Sequence, residues 1–169
     1  YYSLYTAGSE AEAELLKKSF GNVNVKVTGQ PRNDVLCGSF DEQITKHDNK
    51  KRVLYLPTHR FEGKQKIVPY IVNGLHEVDS LLEDLSAEMI IKLHFYHRHE
   101  VPDLRRALKD FTNISVLDDE TTEDIYPLLR STDILITDYS SVYVDYLLTT
   151  RPIIFFPFDL DDYMARERP

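Results

Sequence analysis

The sequence is short of several things that would each point to a protein class. It has a single cysteine, Cys37, which excludes a disulfide framework and a multi-cysteine zinc site. Tryptophan is absent, and no apolar run approaches the roughly 20 residues that a membrane-spanning helix needs. Basic residues are the minority: 20 Lys and Arg against 28 Asp and Glu leave a formal charge of −8, which argues against a nucleic acid partner. The six glycines form neither GxGxxG nor a Walker A pattern, so dinucleotide and P-loop readings are weak. What is present is ordinary for a globular chain: 169 residues, 42% apolar and 28% charged, enough to bury a core without metal or disulfide staples. We read residues 1–169 as one domain. The chain starts at Tyr1 and ends in a segment, Asp161–Pro169, that reads as an opening helix, so we expect it to be a piece of a longer protein.

Short apolar runs alternate with amphipathic stretches. Strands are expected at Tyr1–Ala7, Val23–Val27, Val53–Leu56, Glu88–His94, Ile114–Leu117, Asp133–Thr137 and Pro152–Phe156. Between them fall helices at Ser9–Phe20, Phe40–His47, Leu75–Ser86, Pro102–Phe111, Glu123–Arg130 and Ser141–Leu148. Ser9 suits an N-cap and Gly21 a stop, with acids in the first turns and Lys17 and Lys18 in the last. Asp48–Arg52 and Phe61–Lys66 read as loops, and Ile67–Gly74 is ambiguous. Unbroken apolar strands between helices predict an α/β fold, a Rossmann-like parallel sheet covered on both faces.

In such sheets ligands bind beyond the carboxyl ends of the strands. The residues that follow the strands are Gly29–Asp34, then Pro57-Thr58-His59-Arg60, then Lys92, His94, His97, Arg98 and His99, then Asp118–Thr122, then Asp138-Tyr139-Ser140-Ser141. Hydroxyls, cations and imidazoles thus collect on one edge, a composition suited to an anionic, hydroxylated ligand. The Asp138–Ser141 turn is the sharpest of these. A buried strand runs straight into a helix start, whose unsatisfied N–H groups and two serine hydroxyls suit a phosphate. Asp145, one turn on from Ser141, suits ribose hydroxyls. The plainer alternative makes the serines N-caps and Asp145 a solvated acid. Lys92 and His94 alternate on a strand and point the same way; His94 suits a donor to a phosphoryl oxygen or a proton source, or else a structural hydrogen bond. Arg60 suits bidentate phosphate recognition, as does Arg32, for which an Arg32–Asp34 pair is an equal alternative. His94, His97 and His99 match no recognised metal spacing, and no metal or cofactor is expected.

The segments Gly29–Asp34, Leu54–Arg60, Lys92-Leu93-His94, Asp133–Tyr146 (DILITDYSSVYVDY) and Arg151–Ile154 resemble, in order and spacing, the CDP-glycerol glycerophosphotransferase family of teichoic-acid primases and polymerases and their capsule relatives. The resemblance spans nearly the whole chain, and its ITDYSS-x3-DY block is the specific part. It implies the C-terminal, nucleotide-donor half of a two-domain GT-B fold. It implies transfer of glycerol phosphate from CDP-glycerol to a lipid-linked glycerol phosphate acceptor, with release of CMP. The setting it implies is cytoplasmic, at the inner face of the bacterial plasma membrane, with membrane contact only through regions outside this chain. On that basis His94 is the catalytic residue, acting on the diphosphate. Thr58, Arg60, Lys92, Asp118, Thr122, Asp138, Ser140, Ser141 and Asp145 bind the donor. Ser140 and Ser141 take the diphosphate, Asp145 the ribose, and the Asp118–Thr122 loop lies near the cytosine. One departure is Phe95, where the family usually has proline. Two alternatives share parts of this pattern: a GT-B glycosyltransferase or epimerase using CDP-ribitol or a UDP-sugar, and a non-catalytic nucleotide-binding module.

Overall fold

The structure, a computed structural model, describes residues 3–21, 23–38, 50–60, 65–117 and 124–167. The expected helix Phe40–His47 lies outside them. A parallel pair, β1 (Tyr5–Ala7) and β2 (Val25–Val27), brackets α1 (Glu10–Phe20). The Ser9 side chain accepts from the Glu12 N–H, and Gly21, at φ 70°, ends the helix in a conformation that glycine tolerates best. The Gly29–Asp34 segment becomes a 3-10 turn, Pro31–Asn33, that leads into α2 (Asp34–Cys37).

The main sheet has five strands, all parallel, in the order β5-β4-β3-β6-β7. These are β3 (Lys51–Leu56), β4 (Ala87–Ile91), β5 (Ile114–Val116), β6 (Ile134–Thr137) and β7 (Ile153–Phe155). The connecting helices are α3 (Val68–Ile71), α4 (Leu75–Asp84), α5 (Val101–Ala107), α6 (Tyr126–Ser131) and α7 (Val142–Tyr146), and α8 (Leu160–Glu167) follows β7. Alternate residues of β3 feed two cores. Val53 and Tyr55 join Met89, Ile91, Leu104 and the α3–α4 residues Ile71 and Leu82 on one face. Leu54 and Leu56 join Leu129, Leu135 and Tyr146 on the other. This two-sided burial is why the parallel strands read as unbroken apolar runs.

Most elements are shorter than expected, among them β1, which starts at Tyr5, and α5, which ends at Ala107; the boundaries of β3 and β4 matter most. β3 starts at Lys51, so Arg52 is a strand residue and not part of a polar loop. Its buried guanidinium is tolerated because Nε donates to Glu88 Oε1 at 3.0 Å and Nη1 to Ser131 Oγ at 2.7 Å. β4 ends at Ile91, three residues early. Beyond it the Lys92 N–H still reaches the Tyr55 carbonyl at 3.0 Å, Leu93 is buried, and Lys92 and His94 flank it half-buried.

Candidate functional site

The sheet order fixes where a ligand crevice belongs. From β3 the chain crosses to β4 and then β5; it returns to β6 on the far side of β3 and moves outward to β7. The order therefore reverses between the neighbours β3 and β6, and in open α/β sheets the ligand crevice lies beyond the carboxyl ends at such a point. The residues there are Pro57–Arg60 and Asp138–Ser141.

Asp138 ties these two turns together. Its Oδ1 accepts from the Thr58 N–H at 2.9 Å, the Thr58 hydroxyl at 2.5 Å and the Tyr139 N–H at 2.6 Å. Its Oδ2 accepts from Arg60 Nη2 at 2.8 Å. Arg60 reaches further, to Asp159 after β7, through Nε at 2.6 Å and Nη2 at 2.8 Å, and donates from Nη1 to the Thr58 carbonyl at 2.6 Å. The rings of Tyr139, Phe158 and Tyr163 lie 5.0–5.2 Å from its guanidinium carbon. Burial alone would draw the Arg60 pKa down, but hydrogen bonds to Asp159 and Asp138 more than reverse this and the net shift is upward. Tyr139, which donates to Asp159 Oδ1 at 3.2 Å, is pushed up to about 12 by burial and by the Asp159 charge.

This arrangement changes the reading of three expected donor ligands. Arg60 is 2% exposed, and its fork is engaged by two carboxylates and a carbonyl, so it does not present a cation to the crevice. Asp138 is buried under four donors, and the Thr58 hydroxyl points to Asp138.

His94 sits at the mouth of β4, where it caps the 3-10 turn Phe95–Glu100 by accepting the Tyr96 N–H at 3.4 Å on Nδ1. Its ring lies among aromatic neighbours: His59 at 4.6 Å, Phe95 at 4.6 Å and Tyr96 at 5.2 Å between centroids. Phe95, in the place where the family usually has proline, is exposed, and its ring lies tilted against that of Tyr96 at 4.1 Å between centroids. The turn begins with His94 at φ −64° and ψ 149°, the extended conformation that a residue before proline also adopts.

Beyond β6, α7 is five residues long and runs on into a 3-10 turn, Leu147–Thr149. Ser140 Oγ accepts from the Val142 N–H at a long 3.4 Å, and Ser141 at the N-cap position makes no side-chain capping bond. The capping alternative is thus realised weakly for Ser140 and not for Ser141. Asp145 is buried, not solvated. Its Oδ2 accepts from the Tyr126 hydroxyl at 2.8 Å and lies 3.2 Å from Arg32 Nε, whose Nη2 reaches Oδ1 at 3.5 Å. Arg32 therefore pairs with Asp145, 113 positions away, and not with Asp34. That bond brings the Gly-Gln-Pro-Arg turn to the α7 segment. Tyr126 is pushed up to about 12 by burial and its bond to Asp145, so it remains a hydroxyl donor at all ordinary pH values.

Asp118 and Thr122 lie outside the described residues. Among the described residues no group of three or more His, Cys, Asp or Glu is placed to hold a metal ion. No helix among them is long and apolar enough to cross a membrane. Asp159 and Tyr126 were not singled out from sequence. Reading past the end of β7 would have found Asp159; nothing local to Tyr126 marks it.

The family model for CDP-glycerol:poly(glycerophosphate) glycerophosphotransferases matches residues 2–168. The chain belongs to this family. Among curated relatives it is 34% identical over 155 residues to the teichoic acid poly(ribitol-phosphate) polymerase of Bacillus spizizenii, covering 85% of this chain and 24% of that protein. It is 32% identical over 177 residues to the teichoic acid glycerol-phosphate primase of Bacillus subtilis, covering 98% of this chain and 42% of that one. The chain thus spans less than half the length of these glycerophosphotransferase-family relatives. Among solved structures, the wall teichoic acid polymerase TagF in a variant soaked with CDPG superimposes with TM-score 0.74 at 26% identity, covering 96% of this chain and 41% of that one. A UDP-GlcNAc 2-epimerase from Neisseria meningitidis shares the fold alone, with TM-score 0.58 at 17% identity, covering 90% and 44%.

Proposed function

We propose that this chain is the donor-binding, C-terminal half of a two-domain GT-B transferase. The enzyme moves glycerol phosphate from CDP-glycerol to a hydroxyl of a lipid-linked glycerol phosphate polymer and releases CMP. It works at the cytoplasmic face of the bacterial plasma membrane, with membrane contact made by regions outside this chain. The observation that carries the reading is the switch point itself: Asp138 locks the β3 and β6 turns together, so that the uncapped Ser141 opens the α7 segment beside the crevice.

In this reading Ser140, Ser141 and the backbone N–H groups at the start of α7 hold the diphosphate. Lys92 adds positive charge from the neighbouring strand end. Arg32 adds more, its plane set by Asp145 and Tyr126. Asp145 orients Arg32 and faces the ribose side, and the 118–122 segment serves the cytosine. Thr58, Arg60 and Asp138 position these groups without touching the donor. The acceptor oxygen forms a bond to the phosphorus that carries glycerol, and the bond from that phosphorus to the CMP oxygen breaks with its electron pair leaving on CMP. His94 donates to the diphosphate as charge develops there. The acceptor proton goes to a base outside this chain. Positioning and charge neutralisation supply most of the acceleration.

Thermal-shift and calorimetric titration with CDP-glycerol test the reading: stabilisation by CDP-glycerol well above that by UDP-sugars is expected, and no stabilisation by any CDP-alditol overturns it. A ribitol donor is the second reading, favoured by the relative named as a poly(ribitol-phosphate) polymerase. A larger shift with CDP-ribitol than with CDP-glycerol selects it.

A further inference from the structure

The 3-10 turn after His94 holds one buried histidine. His97 is inaccessible to solvent, and both its ring nitrogens have defined partners. Nε2 lies 3.0 Å from the backbone N–H of Arg60, which can only donate. Nε2 is therefore an acceptor, and the neutral ring carries its proton on Nδ1, which donates to Glu100 Oε1 at 2.7 Å. Glu100, also buried, accepts the N–H groups of Ile67 and Val68 at 3.2–3.3 Å, holding the start of α3. The His97 N–H itself bonds the His94 carbonyl at 2.7 Å. One imidazole thus joins three pieces of the crevice floor: the segment after β3 that carries His59, the turn that carries His94, and the entry to α3.

We propose that His97 is a positioning residue for the transfer reaction. By accepting the Arg60 N–H it sets the His59-bearing segment against the His94-bearing turn, and so fixes the His59–His94 ring contact at the crevice mouth. The inference rests on the functional reading above, in which His94 acts on the donor. Protonating Nε2 would set two N–H donors against each other, so the contact exists only with neutral His97. The charged and titratable groups around the ring are Glu100 and His99 on its own turn, and His59 and Arg60 from the segment after β3.

The test uses the full-length protein, with His97→Gln and His97→Asn compared at pH 8. The Gln amide oxygen can take the place of Nε2 and accept the Arg60 N–H. The Asn amide falls at the Nδ1 position and leaves that N–H unpaired. For His97→Gln, kcat is expected within about threefold of the wild type; for His97→Asn, at least about tenfold lower, with the donor KM changed less than about threefold, since small misplacements at a reacting centre act on turnover. Amide exchange at Arg60 gives a readout independent of activity: slow in the wild type and in His97→Gln, fast in His97→Asn. Equal kcat and equal Arg60 exchange in the two variants overturn the inference. If His97→Asn does not fold, His97→Gln decides alone: turnover near wild type supports the inference, and a loss beyond about tenfold overturns it. A His94→Ala control separates the two ideas. Unchanged turnover in that variant refutes the functional reading, whereas its loss together with indistinguishable His97 variants refutes only the positioning role.

Discussion

Arg60 and Asp138 form an ion pair of 2.8 Å whose side chains are 2% and 0% exposed. The pair spans the point where the sheet order reverses, and both partners are otherwise satisfied: Arg60 by Asp159 and the Thr58 carbonyl, Asp138 by Thr58 and Tyr139. A buried pair of this kind is held less by net attraction than by the penalty of separating it.

Removing one partner should therefore be costly. Asp138→Asn, and Arg60→Lys with its lost fork, are each expected to lower unfolding stability by about 3–5 kcal/mol. Urea denaturation at pH 7.5 measures it; a loss below about 1 kcal/mol, the range of exposed pairs, contradicts the burial argument.

Stability should fall on the acid side through His97. Burial lowers its pKa below the ordinary value, while the unfolded chain keeps the usual value of about 6.5. Above about pH 6.5 neither state is protonated at this ring and the contribution is complete. As the pH drops below that, the unfolded state takes a proton that the native state resists, and stability declines by up to about 1.4 kcal/mol per pH unit until the native ring titrates. Denaturation curves at pH 7.5, 6.5 and 5.5 should show a shallower decline in His97→Gln than in the wild type; equal slopes would exclude His97 as the source.

Ser141 makes no capping bond, so its removal separates binding from folding. Ser141→Ala should weaken CDP-glycerol binding about tenfold, the value of one hydrogen bond to a charged group, while the melting temperature stays within about 2 °C. Ser140→Ala, which also loses a long bond to Val142, should weaken binding similarly with a slightly larger drop in melting temperature. Calorimetric titration paired with thermal melts distinguishes them from simple capping serines, for which stability falls and affinity does not.

Tyr126→Phe removes the hydroxyl that holds Asp145. A stability loss of about 1 kcal/mol is expected. Donor affinity should fall too, because Arg32 loses its fixed partner. The effects of Tyr126→Phe and Arg32→Ala on affinity should be strongly non-additive in a double-mutant cycle; additive effects would show that Tyr126 does not act through Arg32, and an unchanged affinity in Arg32→Ala would place Arg32 outside the donor site.

The periodic signals carried the fold well. Strand–helix alternation reported the parallel sheet because β3 is buried on both faces, and the Ser9 and Gly21 boundary signals were local and unambiguous. Strand ends were harder. Arg52 reads as loop because its counter-charge Glu88 is 36 positions away and Asp133, which accepts its backbone N–H, is 81 away. The rule that ligands gather at strand ends pointed to the edge where the β3 and β6 turns meet. It did not say which groups face a ligand and which hold up the floor, since that depends on pairings such as Arg60–Asp159 and Arg32–Asp145 that no local window contains. His97 looked like one of three clustered imidazoles; only its burial separates it from exposed His99.

The cage around Arg60 also sets an order of assembly. Its second carboxylate, Asp159, is made 99 positions later, and the ring of Tyr163 later still. On the ribosome the turn after β3 emerges with the Arg60 guanidinium still in water, and this edge of the sheet acquires its final packing only after helix α8 has been synthesised. A message or a protease that stops the chain short of residue 159 would leave the sheet's strands present and its working edge unfinished.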